Sequence, residues 1–124
     1  MKSLSIALFV LLLNLSPASS RSGRDLLPSC EITLAGVAPT SNPGEVPLPP
    51  GSALCWYYFS AMRDASQLIG VGNKPALGSC VPQDVRVSEH IRILVQYARH
   101  HPQRVDWDGA FLHVNAMLEA YTCP

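Results

Sequence analysis

A chain of 124 residues has room for one ordinary domain and not for two. Its 48% apolar and 15% charged content excludes wholesale disorder. Nine Lys+Arg balance nine Asp+Glu, which excludes a nucleic-acid binder of the usual basic kind and leaves no polybasic patch for an anionic membrane.

The chain opens on a positive start, Met1-Lys2, and an almost unbroken apolar run from Leu4 to Leu15. Pro17 then breaks any helix, and Ala18-Ser19-Ser20 offers the small residues of a cleavage site. This is the three-part layout of a secretory signal peptide. The run is shorter than the ~20 residues a membrane-spanning helix needs. Residues 1–20 are therefore expected to be removed, leaving residues 21–124 as an exported domain with no membrane attachment.

All four cysteines, Cys30, Cys55, Cys80 and Cys123, fall in that exported part. An even count in an exported chain predicts two disulfides. Zinc sites take two ligands from one tight turn, and no CxxC or CxxH occurs here, so no metal is expected. Three pairings are open. The expected one is Cys30–Cys55 with Cys80–Cys123, each closing a loop of medium length and worth about 3–4 kcal/mol on the loop-entropy model.

The first predicted helix runs from Arg24 to Ala35, with Leu26, Leu27, Cys30 and Leu34 on one face. Residues 37–51 hold five of the eleven prolines and form a loop. Ser52 is the expected N-cap of a second helix over residues 53–69, its inner stripe Leu54, Tyr58, Ala61, Ala65 and Leu68. The run Trp56-Tyr57-Tyr58-Phe59 cannot all face one partner, because successive helical residues rotate by ~100°. It predicts a homodimer through this helix.

A loop over residues 70–84 carries Cys80 and Pro82. The third helix has the clearest pattern. Val87, Ile91, Leu94, Val95 and Ala98 face inward, and Glu89 and Arg92 can pair on the wet side. His100 and His101 fill its last turn and Pro102 stops it. The last helix runs from Asp106 or Asp108 to Tyr121, with Ala110, Val114, Met117, Leu118 and Tyr121 inward. No useful length alternates with period two. The expected architecture is all-α, a small four-helix bundle-like domain with two disulfides.

Three stretches carry a resemblance: Ser79-Cys80-Val81-Pro82-Gln83-Asp84-Val85-Arg86 into the third helix, Tyr97-Ala98-Arg99-His100-His101-Pro102 out of it, and Ala120-Tyr121-Thr122-Cys123 at the end. In order and spacing they resemble the Rap/Tai family of type VI secretion immunity proteins, whose pattern is roughly FCxPxGVTxxQ, then YLxxHP, then AFPC. Cys55 and Tyr58 stand where that family has CxGY-like residues. The likeness covers about residues 54–123 well and residues 25–35 loosely. Asp84 replaces the family's glycine and Arg86 its capping threonine, so Asp84 is expected to take over the cap. Bulky Trp56 and Tyr57 replace small residues, and the loop 37–51 looks like an insertion.

The resemblance implies a periplasmic, helical, often dimeric protein. It would bind a toxic effector, with a peptidoglycan amidase the best-known kind of target, and block it sterically. Such a protein needs a rigid scaffold and a complementary surface, with no catalysis and no cofactor. The candidate effector surface is the proline-stiffened turn bearing His100, His101, Arg104, Asp106 and Trp107, since Trp and Arg are favoured interface anchors. A structural role is open to the same residues: the histidines answer the helix dipole, and Trp107 staples the last helix to the core. No GxSxG, HExxH or phosphate loop occurs. His90 and His113 lie beside apolar stripes, where a flanking or core role is the commoner one. Two other functions compete with immunity: an accessory periplasmic protein of the same fold without a toxin partner, and a small exported enzyme.

Overall fold

The computed structural model describes residues 20–36 and 48–124. The expected signal peptide, apart from Ser20, and most of the proline-rich loop lie outside the described residues. Among the described residues four helices carry the fold: α1 (Gly23–Gly36), α2 (Ala53–Ser66), α3 (Val87–His100) and α4 (Gly109–Ala120). Short 3-10 turns, Val71–Asn73 and Pro102–Arg104, sit in the connectors before and after α3. No β-strand occurs among the described residues. Helix α3 packs against each of the other three, and α1 closes the other side.

Each helix begins in a different way. Ser22 and Asp25 cap α1 reciprocally: Asp25 Oδ2 accepts from the Ser22 amide at 3.1 Å and Ser22 Oγ accepts from the Asp25 amide at 3.2 Å. This is a capping box. Asp108 caps α4, its Oδ1 accepting from the Ala110 and Phe111 amides. At α2 the N-cap position is Ser52, as expected, but its hydroxyl donates to Pro49 O and caps nothing. The orphan Cys55 amide is taken by Ser29 of α1 at 3.1 Å, while Ser29 donates to Gly51 O at 2.6 Å. The cap of α2 thus comes from a neighbouring helix. Helix α3 has Arg86 at its N-cap position, and the Arg86 side chain makes no cap hydrogen bond.

The disulfides are Cys30–Cys55, which ties α1 to α2, and Cys80–Cys123, which ties the connector before α3 to the end of the chain. No cysteine is free. The expected pairing is the one present. The Cys80 amide also donates to Tyr121 O at 2.9 Å, so the second cross-link lies beside a backbone bond.

The core holds Leu26, Phe59, Ile91, Leu94, Val95, Leu112 and Met117, all nearly inaccessible. The inner face expected of α3 is the one buried. On α2 the expected stripe is wrong. Cys55, Trp56, Phe59 and Ser66 are buried, whereas Leu54 is 39% exposed and Leu68 lies beyond the helix end at 60% exposed. The disulfide turns Cys55 inward, and the residues one turn away follow it. Helix α4 is rotated from expectation in the opposite sense: Leu112, His113 and Ala116 join Met117 inside, and Leu118 lies outside.

The starts of α1 and α4 touch backbone to backbone. The Gly23 amide donates to Trp107 O at 2.9 Å, and the Gly109 amide to Arg21 O at 2.7 Å. A Cβ at Gly109 would stand 2.3 Å from Leu26 Cδ1 and 3.1 Å from Arg21 O, and one at Gly23 would stand 2.8 Å from Val105 O. The close approach needs both glycines.

Candidate functional site

Two connectors flank α3, and both are built on a 3-10 turn. The one after it, residues 101–108, contains most of the residues expected to meet an effector. His101 is the C-cap of α3, its amide donating to Tyr97 O at 2.9 Å. Its ring lies 4.4 Å from the Tyr97 ring, and its Nε2 is 3.5 Å from a Glu119 carboxylate oxygen. The Arg104 guanidinium donates to the Tyr97 hydroxyl and lies 4.9 Å from the centre of the Trp107 ring. Trp107 in turn packs on Phe111, ring centres 5.2 Å apart. Asp106 accepts from Arg24 Nε at 2.6 Å and from its Nη2 at 3.0 Å, and this pairing holds its carboxyl below the usual range.

His101, Arg104, Asp106 and Trp107 therefore join α3, α4 and the start of α1. Exposed His100 instead borders a groove of about 400 Å³ between α3 and α4, together with Gln96, Glu119 and Tyr121. The Glu89–Arg92 pair expected from the sequence forms at the other side of that groove.

The connector before α3 has the opposite character. Leu68, Ile69 and Val71 are 60%, 63% and 98% exposed. The chain closes on itself beneath them, with the Gly70 amide donating to Lys74 O at 2.7 Å and the Ala76 amide to Leu68 O at 2.8 Å. Gly72 and Asn73 take positive φ, 70° and 58°, which lets the chain reverse within so few residues. The result is a narrow apolar tip with Val71 at its exposed end. A hollow of about 320 Å³ beside it is lined by Ser66, Ile69, Pro75, Ser79 and Val81. The sequence pattern missed this tip by extending the second helix to residue 69 and reading Leu68 as core. The available signal was three large aliphatic residues, Leu68, Ile69 and Val71, interleaved with Gly70 and Gly72.

Behind these surfaces lies a buried pair. His90 of α3 and His113 of α4 are 0% and 1% exposed, with His90 Nδ1 3.0 Å from His113 Nε2. Burial pushes His90 down to about 4, helped by the charge of Arg63, and His113 down to about 3. Both rings are neutral at pH 7. They occupy the core role the sequence allowed, yet their outer nitrogens have no hydrogen-bond partner among the described residues. Among those residues no group of three or more His, Cys, Asp or Glu could hold a metal ion, and no helix is long and apolar enough to cross a membrane.

A disulfide-tied helical frame with an outward apolar tip has the form of a binding module. The family model of Rap1a immunity proteins matches residues 22–123. The chain belongs to this family. The match spans both disulfides and all four helices, and it agrees with the Rap/Tai resemblance. No curated protein and no solved structure matches the chain significantly. Membership in the Rap1a immunity family gives the function in outline: binding a secreted protein effector. The disulfides and the family together speak for an exported protein.

Proposed function

We propose that this Rap1a immunity protein works in the periplasm, delivered there by the signal peptide of residues 1–20, and that residues 21–124 bind and sterically block a type VI secretion effector, a peptidoglycan amidase. The observation that carries the reading is the family match over residues 22–123. Residues 68–71 give it a physical means. A tip this apolar and exposed is unfavourable in water, and burial in an enzyme cleft removes that cost. The disulfides hold the frame so that little ordering is needed on binding. The protein itself turns nothing over; its outer shape does the work.

The turn over residues 100–107 is a second candidate surface, favoured by exposed His100 and by Phe111, 55% exposed, on the flank of Trp107. Homodimerisation through α2 is part of the same proposal. Leu54, Tyr57 and Ala61 form an exposed stripe at helical spacing, and Tyr57 is 67% exposed.

The test is co-purification with the candidate effector, followed by an assay of cell-wall cleavage. A stoichiometric complex and loss of cleavage are expected, and Val71→Asp with Ile69→Asp should weaken the complex at least ten-fold. Replacing His100 and Arg104 by Ala should then have the smaller effect; the reverse order assigns the surface to residues 100–107. A protein that leaves cleavage untouched, or that cleaves a substrate alone, overturns the proposal.

A further inference from the structure

The immunity reading makes no use of the two buried histidines, yet they join the helices that carry the frame. The His90 and His113 rings lie nearly parallel, 18° apart, with centres separated by 5.2 Å. Phe59 of α2 packs on His113, ring centres 5.2 Å apart. The charged groups acting on the pair are Arg63 of α2, which opposes a further proton on His90, and Glu89 of α3, which favours one. His90 itself is the group of α3 that opposes a proton on His113.

One proton is shared across the 3.0 Å contact. The ring that donates it has a bare outer nitrogen. The ring that accepts it carries its own proton on the outer nitrogen. A further proton therefore has one place to go without breaking the contact, the outer nitrogen of the donating ring. There it creates an imidazolium with a buried N–H that no described residue receives. Such a charge is strongly disfavoured in the core.

We propose that the His90–His113 pair is an acid-operated joint between α3 and α4, closed while both rings are neutral and forced open when one takes a proton.

The direction follows from linkage. An unfolded histidine titrates near ~6.5, and burial holds both of these rings well below that. The unfolded chain thus binds more protons as pH falls below ~6.5. The pair's contribution is complete above that pH and is lost progressively toward about 4. From pH 7 to pH 5 the unfolding constant should rise roughly twenty-fold per ring, a few hundred-fold for both. Carboxylates titrate mainly below this window. The comparison is made against a variant that retains His100 and His101.

Denaturant unfolding of the disulfide-intact exported chain at pH 7, 6 and 5 tests the joint, with His90→Gln/His113→Gln alongside. The wild type should lose stability by the stated factor, and the variant should lack that loss. Equal pH slopes in the two proteins overturn the proposal. If the variant fails to fold, long-range proton–nitrogen spectra of the wild-type imidazoles decide: both rings neutral in the folded protein at pH 5.5 supports the joint, and a charged ring there overturns it. Weaker effector inhibition at pH 5 than at pH 7 is also expected. That arm alone rests on the immunity reading: a protein that destabilises in acid but binds no effector at any pH refutes the immunity function and leaves the joint standing.

Discussion

The two connectors around α3 are of the same kind and do opposite things. Residues 101–108 are polar in sequence, with Arg104 and Asp106 before the Asp108 cap, yet they are wired inward to Arg24, Tyr97 and the start of α1. Residues 68–75 contain Leu68, Ile69 and Val71, yet hold them out to solvent. Residue polarity therefore misjudges both. What decides is whether the connector meets another element. The first runs past the beginnings of α1 and α4, where backbone amides and carbonyls need partners. The second satisfies its own backbone in a tight reversal and needs nothing else. A polar connector can thus be structural, and an apolar one can be free to bind.

The largest expected effect concerns what holds each connector. Replacing Cys80 and Cys123 by Ser should cost about 4 kcal/mol on the loop-entropy model and weaken effector binding as well, because Cys80 anchors the segment behind the tip. Removing Cys30–Cys55 should cost a similar ~3–4 kcal/mol but leave the tip's own foot in place. Chemical unfolding paired with effector titration separates the two, and equal losses of binding per unit of stability would erase the distinction. Within the inner connector, Trp107→Ala should cost about 2–3 kcal/mol by removing the ring between Arg104 and Phe111, read as a lower denaturant midpoint.

Gly109→Ala should cost roughly 1–3 kcal/mol, since its Cβ would collide with Leu26 and the Arg21 carbonyl. Gly72→Ala in the tip has open space around it and should cost only the ~1–2 kcal/mol of its left-handed backbone. Smallest in stability is Val71→Asp, expected within ~0.5 kcal/mol of wild type. A large loss of stability there would mean that the tip is packed, and would end its claim to be a free surface.

The sharp periodicity of α3 was legible because its apolar face repeats cleanly and its end is fixed by Pro102. Ser22–Asp25 and Asp108 mark helix starts that a reader can find, because each cap is local in sequence. Helix α2 misled because it has two apolar stripes, Leu54 to Leu68 and Cys55 to Ser66, and periodicity cannot choose between them. Only the Cys30–Cys55 bond and the Ser29 contact to Cys55 make that choice. Of the expected effector-facing residues, the local pattern revealed the turn and its stop. It did not reveal that Asp106 would pair with Arg24, 82 positions away.

The sequence by itself determined an all-α chain, four helix positions, two cross-links and the family pattern, since periodicity, proline stops and cysteine spacing are properties of the linear chain. The tertiary structure alone decided which face of α2 and α4 turns inward, where the cap of α2 comes from, and that His90 and His113 meet. Those outcomes depend on distant residues competing for the same buried space and the same unpaired backbone groups, and no local pattern encodes that competition.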